Sequence, residues 1–385
     1  MNMAWHLVGL DVDDFIQHYW QKKPCLVNQT FTNICTPISP EELAGLACEP
    51  EVHSRLVQET GGKKPWQQRY GPFKEKDFLS LPESHYCLQV SECEKWIPEF
   101  ADLRDQFDFL PNWRIDNVVI HYASEHGSIG PHIDESDLIL IQLQGQQRWQ
   151  YSDAVENSPA LLSGTDLAVL QDFHADQEIM LNPGDMLYLP AGIAHHGVAI
   201  SPGLTCIIEF RAPTAVELLE SFVLEVDQSS LGIQRYSDPD LERNRHPAEI
   251  TDFEINRFKS MVLALLEQPP ELWQNAVGKL LSDSVISDKP VASLARINDF
   301  CDQDWVFTAD SKLLYYRGLI TLKLYCNGTV YEAPHSKLAL TTVQQMCGQR
   351  FLPAATMHEC WSFEPLKQMI TQLVLDGALQ AEDKA

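Results

Sequence analysis

His132 and Asp134 stand two apart in Gly130-Pro131-His132-Ile133-Asp134, and His195 closes Leu189-Pro190-Ala191-Gly192-Ile193-Ala194-His195 further along. Two imidazoles and one carboxylate on one side of a divalent metal leave the opposite side open. That arrangement suits non-haem Fe(II), whose vacant positions take an organic co-substrate and dioxygen. Residues two apart in an extended chain point to the same face, so one strand end can supply two ligands and a neighbouring strand the third. His196 follows His195 directly. Adjacent strand residues face opposite ways, so only one of the two can be a ligand, and the turn spacing selects His195. An H-x-D pair alone carries little weight, as does a histidine after a Pro-x-Gly turn. Together, inside a strand-rich segment, they point to a metal site. Reading His132 as an ordinary loop histidine and Asp134 as a turn cap leaves Gly130-Pro131 and Gly192 framing both segments for no reason.

The elements that must position these residues run from about 115 to 212. Asn117–Ala123 and Leu138–Gln144 read as strands, the latter continuing past Gly145 as Gln147–Tyr151. Glu178–Leu181 meets the turn Asn182-Pro183-Gly184-Asp185, then Met186–Pro190, and Leu204–Phe210 completes the set. Many short strands joined by Gly/Pro turns argue for a jelly-roll or cupin-type barrel. Before it, helix and strand mix: Asp14–Trp20 is amphipathic, and Ser39-Pro40-Glu41-Glu42 is a capping box that opens a second helix. After Pro213 the texture turns helical. Thr214 with Glu217 and Thr251 with Glu254 open two helices with apolar faces, which either pack internally or dimerise. A third unit begins near 290 with helical Ala292–Arg296, and it contains a hairpin marked by Asn327-Gly328. Helices around a hairpin are the make-up of a winged helix. The domains expected are therefore 1–212, 213–289 and 290–385.

The 54 acidic and 28 basic residues among 385 give a formal net charge of −26. Such a surface repels phosphate backbones and attracts basic partners, which argues against direct nucleic-acid binding. No stretch approaches the roughly 20 apolar residues of a membrane helix, and the first residues lack a signal-peptide layout, so a cytoplasmic location is expected. The ten cysteines form no C-x-x-C pair and several lie in apolar runs, the pattern of buried free thiols.

Gly130–Asp134, Ile141–Trp149, Pro190–His195 and Glu209-Phe210-Arg211-Ala212-Pro213 resemble the JmjC-type 2-oxoglutarate oxygenases, and more narrowly the bacterial ribosomal oxygenases of the YcfD/RoxA type. Trp20–Pro24, Trp113–Asp116 and Tyr236–Pro239 fit the same resemblance. It implies a double-stranded β-helix, a helical region that forms a homodimer and a C-terminal winged-helix-like α+β unit. It also implies Fe(II) held by His132, Asp134 and His195, with 2-oxoglutarate and O2 as co-substrates. The implied reaction is hydroxylation of an arginine side chain in the basic large-subunit ribosomal protein number sixteen.

The chain departs from that pattern at one point. The family places a lysine or arginine two residues after the glycine matching Gly145, to hold the distal carboxylate of 2-oxoglutarate, and Gln147 stands there. Alternation puts Gln147 on the face of Ile139, Ile141 and Leu143, with Arg148 opposite unless a bulge exchanges them. Arg211 or His121 could supply the charge instead. For a cationic substrate side chain, Glu135 and Asp137 beside the metal loop are the candidate partners. Two other classes use the same residues: a metal-dependent cupin enzyme that forms no succinate, and a non-catalytic acidic module that binds basic peptides and keeps its function after Asp134→Ala.

Overall fold

The computed structural model describes all residues except 1–4, 33, 35, 62–64, 156–158, 230–234, 241–247, 268, 284–301, 309–310 and 383–385. The helix expected at Ala292–Arg296 lies outside the described residues. The chain divides into two compact units, Met1–Ala212 and Pro213–Ala385.

The first unit opens with α1 (Val12–His18), β1 (Cys25–Val27) and α2 (Pro40–Leu46), the last capped by reciprocal Ser39 and Glu42 hydrogen bonds as its sequence requires. Then come β2 (Ser54–Glu59), β3 (Trp66–Tyr70), α3 (Glu75–Leu79), β4 (Tyr86–Val90), α4 (Cys93–Trp96) and α5 (Pro98–Arg104). The barrel strands follow as β5 (Ile115–Ala123), β6 (His132–Ile133), β7 (Asp137–Gln144), β8 (Gln147–Val155), β9 (Gln177–Leu181), β10 (Met186–Leu189), β11 (Ile193–Ala199) and β12 (Gly203–Phe210).

They form two sheets, one of eight strands in the order β1-β10-β7-β12-β5-β4-β2-β3 and one of four in the order β6-β11-β8-β9. This is the expected double-stranded β-helix with β2–β4 extending its larger sheet. That sheet is buried on both faces. Ile120, Ile139, Ile141, Cys206 and Ile208 pack outward against Phe15, Phe100 and Phe107 of the N-terminal helical layer. Leu140, Leu187, Leu189 and Ile207 face the interior with Trp149 and Tyr151 of the smaller sheet. Near-continuous apolar runs such as Leu138–Ile141 are what such double burial demands.

Gly145 marks a passage between sheets, not a point inside one strand. Its φ is +72°, and a Cβ there would come within 2.4 Å of the Pro202 carbonyl oxygen. The turn also changes parity. Even-numbered Leu138 and Leu140 face the cavity on β7, whereas odd-numbered Trp149 does so on β8. Gln147 therefore shares the inward face with Trp149 and Tyr151, and not the outward face of Ile139 and Ile141. A second buried knot fixes the start of β7. Asp137 accepts hydrogen bonds from Arg114 Nη2 (2.8 Å), Tyr188 Oη (2.7 Å) and Gln21 Nε2 (3.2 Å).

The second unit begins with α6 (Ala215–Asp227), α7 (Asp252–Leu266) and α8 (Pro270–Ser282), the first two opened by capping boxes at Thr214 and Thr251. Then come β13 (Trp305–Phe307), β14 (Leu313–Arg317), β15 (Thr321–Cys326), β16 (Thr329–Pro334), α9 (Lys337–Gln349), β17 (Phe351–Leu352), α10 (Ala354–Trp361), α11 (Glu364–Leu375) and β18 (Leu379–Ala381). Asn327 and Gly328, both at positive φ, form the expected β15–β16 turn. The strands from β13 on and α9–α11 share a core around Leu324, Val343, Leu352 and Ile370, whereas α6 and α8 pack through a separate cluster of Phe222, Val226 and Ala276.

Candidate metal centre

His132 begins at the edge strand β6, paired directly with His195 on β11, so one rung of the smaller sheet carries both histidines. Asp134 follows two residues on, and Gly192 N–H donates to its carbonyl (2.9 Å), tying the two ligand segments together. His132 Nε2 lies 3.1 Å from His195 Nε2, and Asp134 Oδ2 lies 3.4 Å and 3.3 Å from them. Ligands about 2.1 Å from one ion are separated by about 3.0 Å at octahedral and about 3.4 Å at tetrahedral angles, so these distances suit a single shared ion.

The hydrogen bonds behind the ligands point the same way. His132 Nδ1 is 2.9 Å from the Gly130 carbonyl, and His195 Nδ1 is 2.9 Å from that of Ile193. Carbonyl oxygens only accept, so both Nδ1 atoms carry the proton and both Nε2 atoms present lone pairs. Two such lone pairs and a carboxylate facing one another make a cation site. Among the described residues this is the single cluster of three such groups whose ligand atoms all lie within 4.8 Å. Burial and the charge of His132 hold His195 below the ordinary imidazole range. Burial acts the same way on His132, but the hydrogen bond and charge of Asp134 outweigh it and raise that residue. Burial likewise disfavours the Asp134 carboxylate, yet the two histidines hold it well below the usual range. His196 turns away to Ser128 Oγ (3.0 Å).

The triad opens into a cavity of about 180 Å³ between the sheets. Leu138, Leu140, Ile207 and Trp149 give it apolar walls, and Gly197 makes room for Trp149, whose ring a Cβ would approach to 2.7 Å. From the metal level inward, β8 presents Tyr151, opposite His195, then Trp149 and Gln147. Three side-chain atoms buried along this wall and the facing β5 have no partner: Trp149 Nε1, His121 Nε2 and Gln147 Oε1. An indole N–H is a donor only, so Trp149 offers a place for an acceptor such as a carboxylate oxygen.

The sequence expectations fare differently here. His121 lines the cavity. Burial, Arg55 and His132 hold it down at about 3, so it is neutral at pH 7 and supplies a hydrogen bond and not a charge. Gln147 is buried just beyond the lining residues. Arg148 takes the opposite face of β8, and Arg211 lies exposed where β12 ends, so neither reaches the cavity. Glu135 is exposed next to Asp134, whereas Asp137 is buried and locked in the knot with Arg114 and Tyr188, so it is not free to meet a substrate at the metal.

Sequence reasoning missed three polar lining residues: Arg55, Gln89 and Glu209. Arg55 on β2 donates through Nε to Gln89 Oε1 on β4 (2.8 Å) and also through Nη2. Glu209 is half-buried on β12. Burial, then the charges of Asp134 and Asp116, raise its carboxyl to about 7. The available signal was a lone charged residue at an inward position of an alternating strand, in Ser54-Arg55-Leu56-Val57 and Ile207-Ile208-Glu209-Phe210.

A JmjC-domain family model matches residues 102–218, and a ROXA-like winged-helix model matches 264–380. The chain is 35% identical over 335 residues to the ribosomal protein uL16 3-hydroxylase of Escherichia coli (strain K12), covering 85% of this chain and 87% of that protein. It is 30% identical to a probable ribosomal oxygenase of Haemophilus influenzae, covering 82% and 80%. The structure of the E. coli ribosomal oxygenase YcfD in complex with cobalt and 2-oxoglutarate matches with a TM-score of 0.83 and 31% identity, over 98% of this chain and 99% of that one. A complex of YcfD with cobalt and succinic acid matches with a TM-score of 0.84, again at 31% identity and over 98% and 99%.

Proposed function

Because the chain belongs to the JmjC-type bacterial ribosomal oxygenases, and is with them a 2-oxoglutarate-dependent oxygenase, we propose that it hydroxylates an arginine side chain of the large-subunit ribosomal protein uL16. The observation that carries the oxygenase chemistry is the convergence of His132, Asp134 and His195 on one point of an apolar cavity. In this reading those three side chains hold Fe(II). The metal, bound with 2-oxoglutarate and O2, supplies the oxidation that adds one oxygen atom to a C–H bond and yields succinate and CO2.

The protein's own residues do the rest. Hydrogen bonds from Nδ1 to the Gly130 and Ile193 carbonyls fix both imidazoles with Nε2 toward the metal. Leu138, Leu140, Ile207 and Trp149 keep water from the reacting carbon. Trp149 Nε1, His121 Nε2 and the Arg55 guanidinium receive the distal carboxylate of 2-oxoglutarate, in place of the basic residue that the family carries where Gln147 stands here. The uL16 assignment draws on the E. coli relative's substrate and on the charge of −26, which complements a basic protein. We further assign the helical stretch 213–289 to homodimerisation and 290–385 to the winged-helix-like domain, and place the enzyme in the cytoplasm. No described helix is long and apolar enough to cross a membrane.

The test mixes the purified chain, Fe(II), 2-oxoglutarate and air with free uL16 and maps peptides by mass spectrometry. The expected result is one added oxygen on an arginine, with succinate formed in step, and loss of both after Asp134→Ala. Oxygen on another residue type would overturn the arginine assignment. Succinate-independent turnover would favour the cupin alternative. We expect unassembled uL16 to react faster than intact large subunits, because RNA there opposes an acidic enzyme.

A further inference from the structure

Glu209 remains after every other polar residue at the metal centre has been given a task. It sits on β12, the central strand of the larger sheet's inner face, in register with Leu138 of β7 and Asn117 of β5. This is the end of the barrel where Asp134 and His195 lie, because β7 starts and β11 starts there. Apart from Asp134, it is the one carboxylate among the residues lining the cavity. It takes no part in the metal-ligand cluster. Among the described residues no lysine, arginine or histidine comes within ion-pairing distance, although Arg55 lines the same cavity. It accepts a long hydrogen bond from Asn117 Nδ2 (3.5 Å).

Glu209 also borders a second, more open cavity of about 270 Å³, whose lining includes Arg55 and Gln89 as well as His53, Ser91 and Asn117. It therefore stands where the outside groove meets the metal chamber. The chamber carries basic and acidic groups at different levels of the barrel. Arg55 and His121 lie in one row of paired residues across β2, β4 and β5, at the level of Thr205 on β12. Glu209 lies four residues further along β12, about 13 Å at a strand's rise, toward the metal. The row that carries Arg55 and His121 is thus set apart along the barrel from Glu209, although the long Arg55 side chain borders both cavities with it. Between them, Leu138, Leu140, Ile207 and Trp149 form a slot for a methylene stem.

We propose that Glu209 is the specificity-determining residue of the oxygenase. Its carboxylate receives the guanidinium of the substrate arginine and so sets the arginine's aliphatic carbons before the metal. The proposal rests on the arginine reading given under Proposed function, which it deepens. A half-buried carboxylate whose hydrogen bond from Asn117 is long is costly to keep, and a cationic ligand lowers that cost.

The test is a double-substitution cycle on the full chain loaded with Mn(II) and 2-oxoglutarate without oxygen. The probes are the uL16 peptide carrying the mapped arginine and the same peptide with citrulline, its uncharged near-isostere. Wild-type protein should bind the arginine peptide about 10- to 100-fold more tightly than the citrulline one. Glu209→Gln should erase that ratio by weakening the arginine peptide alone, and Glu209→Asp should restore part of it. The Kd for 2-oxoglutarate should not rise in either variant, which shows that the fold and the co-substrate site persist. Equal loss of both peptides, retained discrimination in Glu209→Gln, or weakened 2-oxoglutarate binding would each overturn the proposal. Wild-type protein that hydroxylates uL16 at a residue other than arginine would overturn the arginine reading together with it. Arginine hydroxylation with unchanged discrimination in Glu209→Gln would overturn the role of Glu209 alone.

Discussion

At the scale of single residues, position along the chain and position in space part company. The triad was legible because all three ligands sit where strand alternation and a glycine turn fix direction: His132 and Asp134 share a face, and His195 is their rung partner. Asp137, equally close in sequence, was not legible. Its surroundings come from Arg114, Tyr188 and Gln21, each far away in the chain, and together they draw it out of reach of any substrate. Arg55 was invisible for the same reason, since only the pairing of β2 with β4 brings it to the metal chamber. It is the cation among the lining residues other than histidine. Exchanging a charge-assisted contact for a neutral one costs about 1–1.5 kcal/mol, so Arg55→Gln should raise the Kd for 2-oxoglutarate by about tenfold. Gln147→Ala should change it by no more than about threefold, because the wild-type side chain lies beyond the lining residues. Calorimetric titration of the Mn(II)-loaded protein checks both. A larger effect of Gln147 would return the anchor to the family position.

At the scale of elements, the barrel was readable from its turns, and its one misleading point was also a turn. Read as a continuous strand, Leu138–Tyr151 keeps one parity throughout and puts Gln147 with Ile139. Gly145 at φ +72°, lodged against Pro202, sends the chain into the other sheet and reverses the count. A side chain at Gly145 meets both the left-handed backbone and the 2.4 Å approach, so Gly145→Ala should destabilise the first unit by at least about 1–2 kcal/mol. The Asp137 knot is the stronger lock. Asp137→Ala leaves the buried Arg114 guanidinium without its ion pair and Tyr188 without its acceptor, a loss of about 3–5 kcal/mol. Denaturant midpoints check both changes. A midpoint for Asp137→Ala equal to wild type would mean that Asp137 is not a structural residue. The capping boxes at Ser39, Thr214 and Thr251 formed as the sequence requires, since a cap depends only on residues three apart.

At the scale of the whole molecule, the acidic balance and a helix face left exposed among the described residues remain as features that no single element explains. α7 runs for 15 residues without one buried side chain, and Phe253, Phe258, Met261 and Val262 are exposed on it. An apolar face of that kind marks an interface, and a homodimer is the occupant proposed for residues 213–289. Light scattering of wild-type protein should give twice the 43.7 kDa of one chain, and Phe258→Glu should give a monomer that still binds metal. A monomeric wild type would remove the dimer from the account. The central claim is narrower: His132, Asp134 and His195 share one ion with an open side. Anaerobic titration with Co(II), followed by its visible absorption, tests it most directly. One equivalent should bind, addition of 2-oxoglutarate should change the spectrum, and His195→Ala should abolish tight binding. Unaltered stoichiometric binding by His195→Ala, or a spectrum indifferent to 2-oxoglutarate, would contradict it.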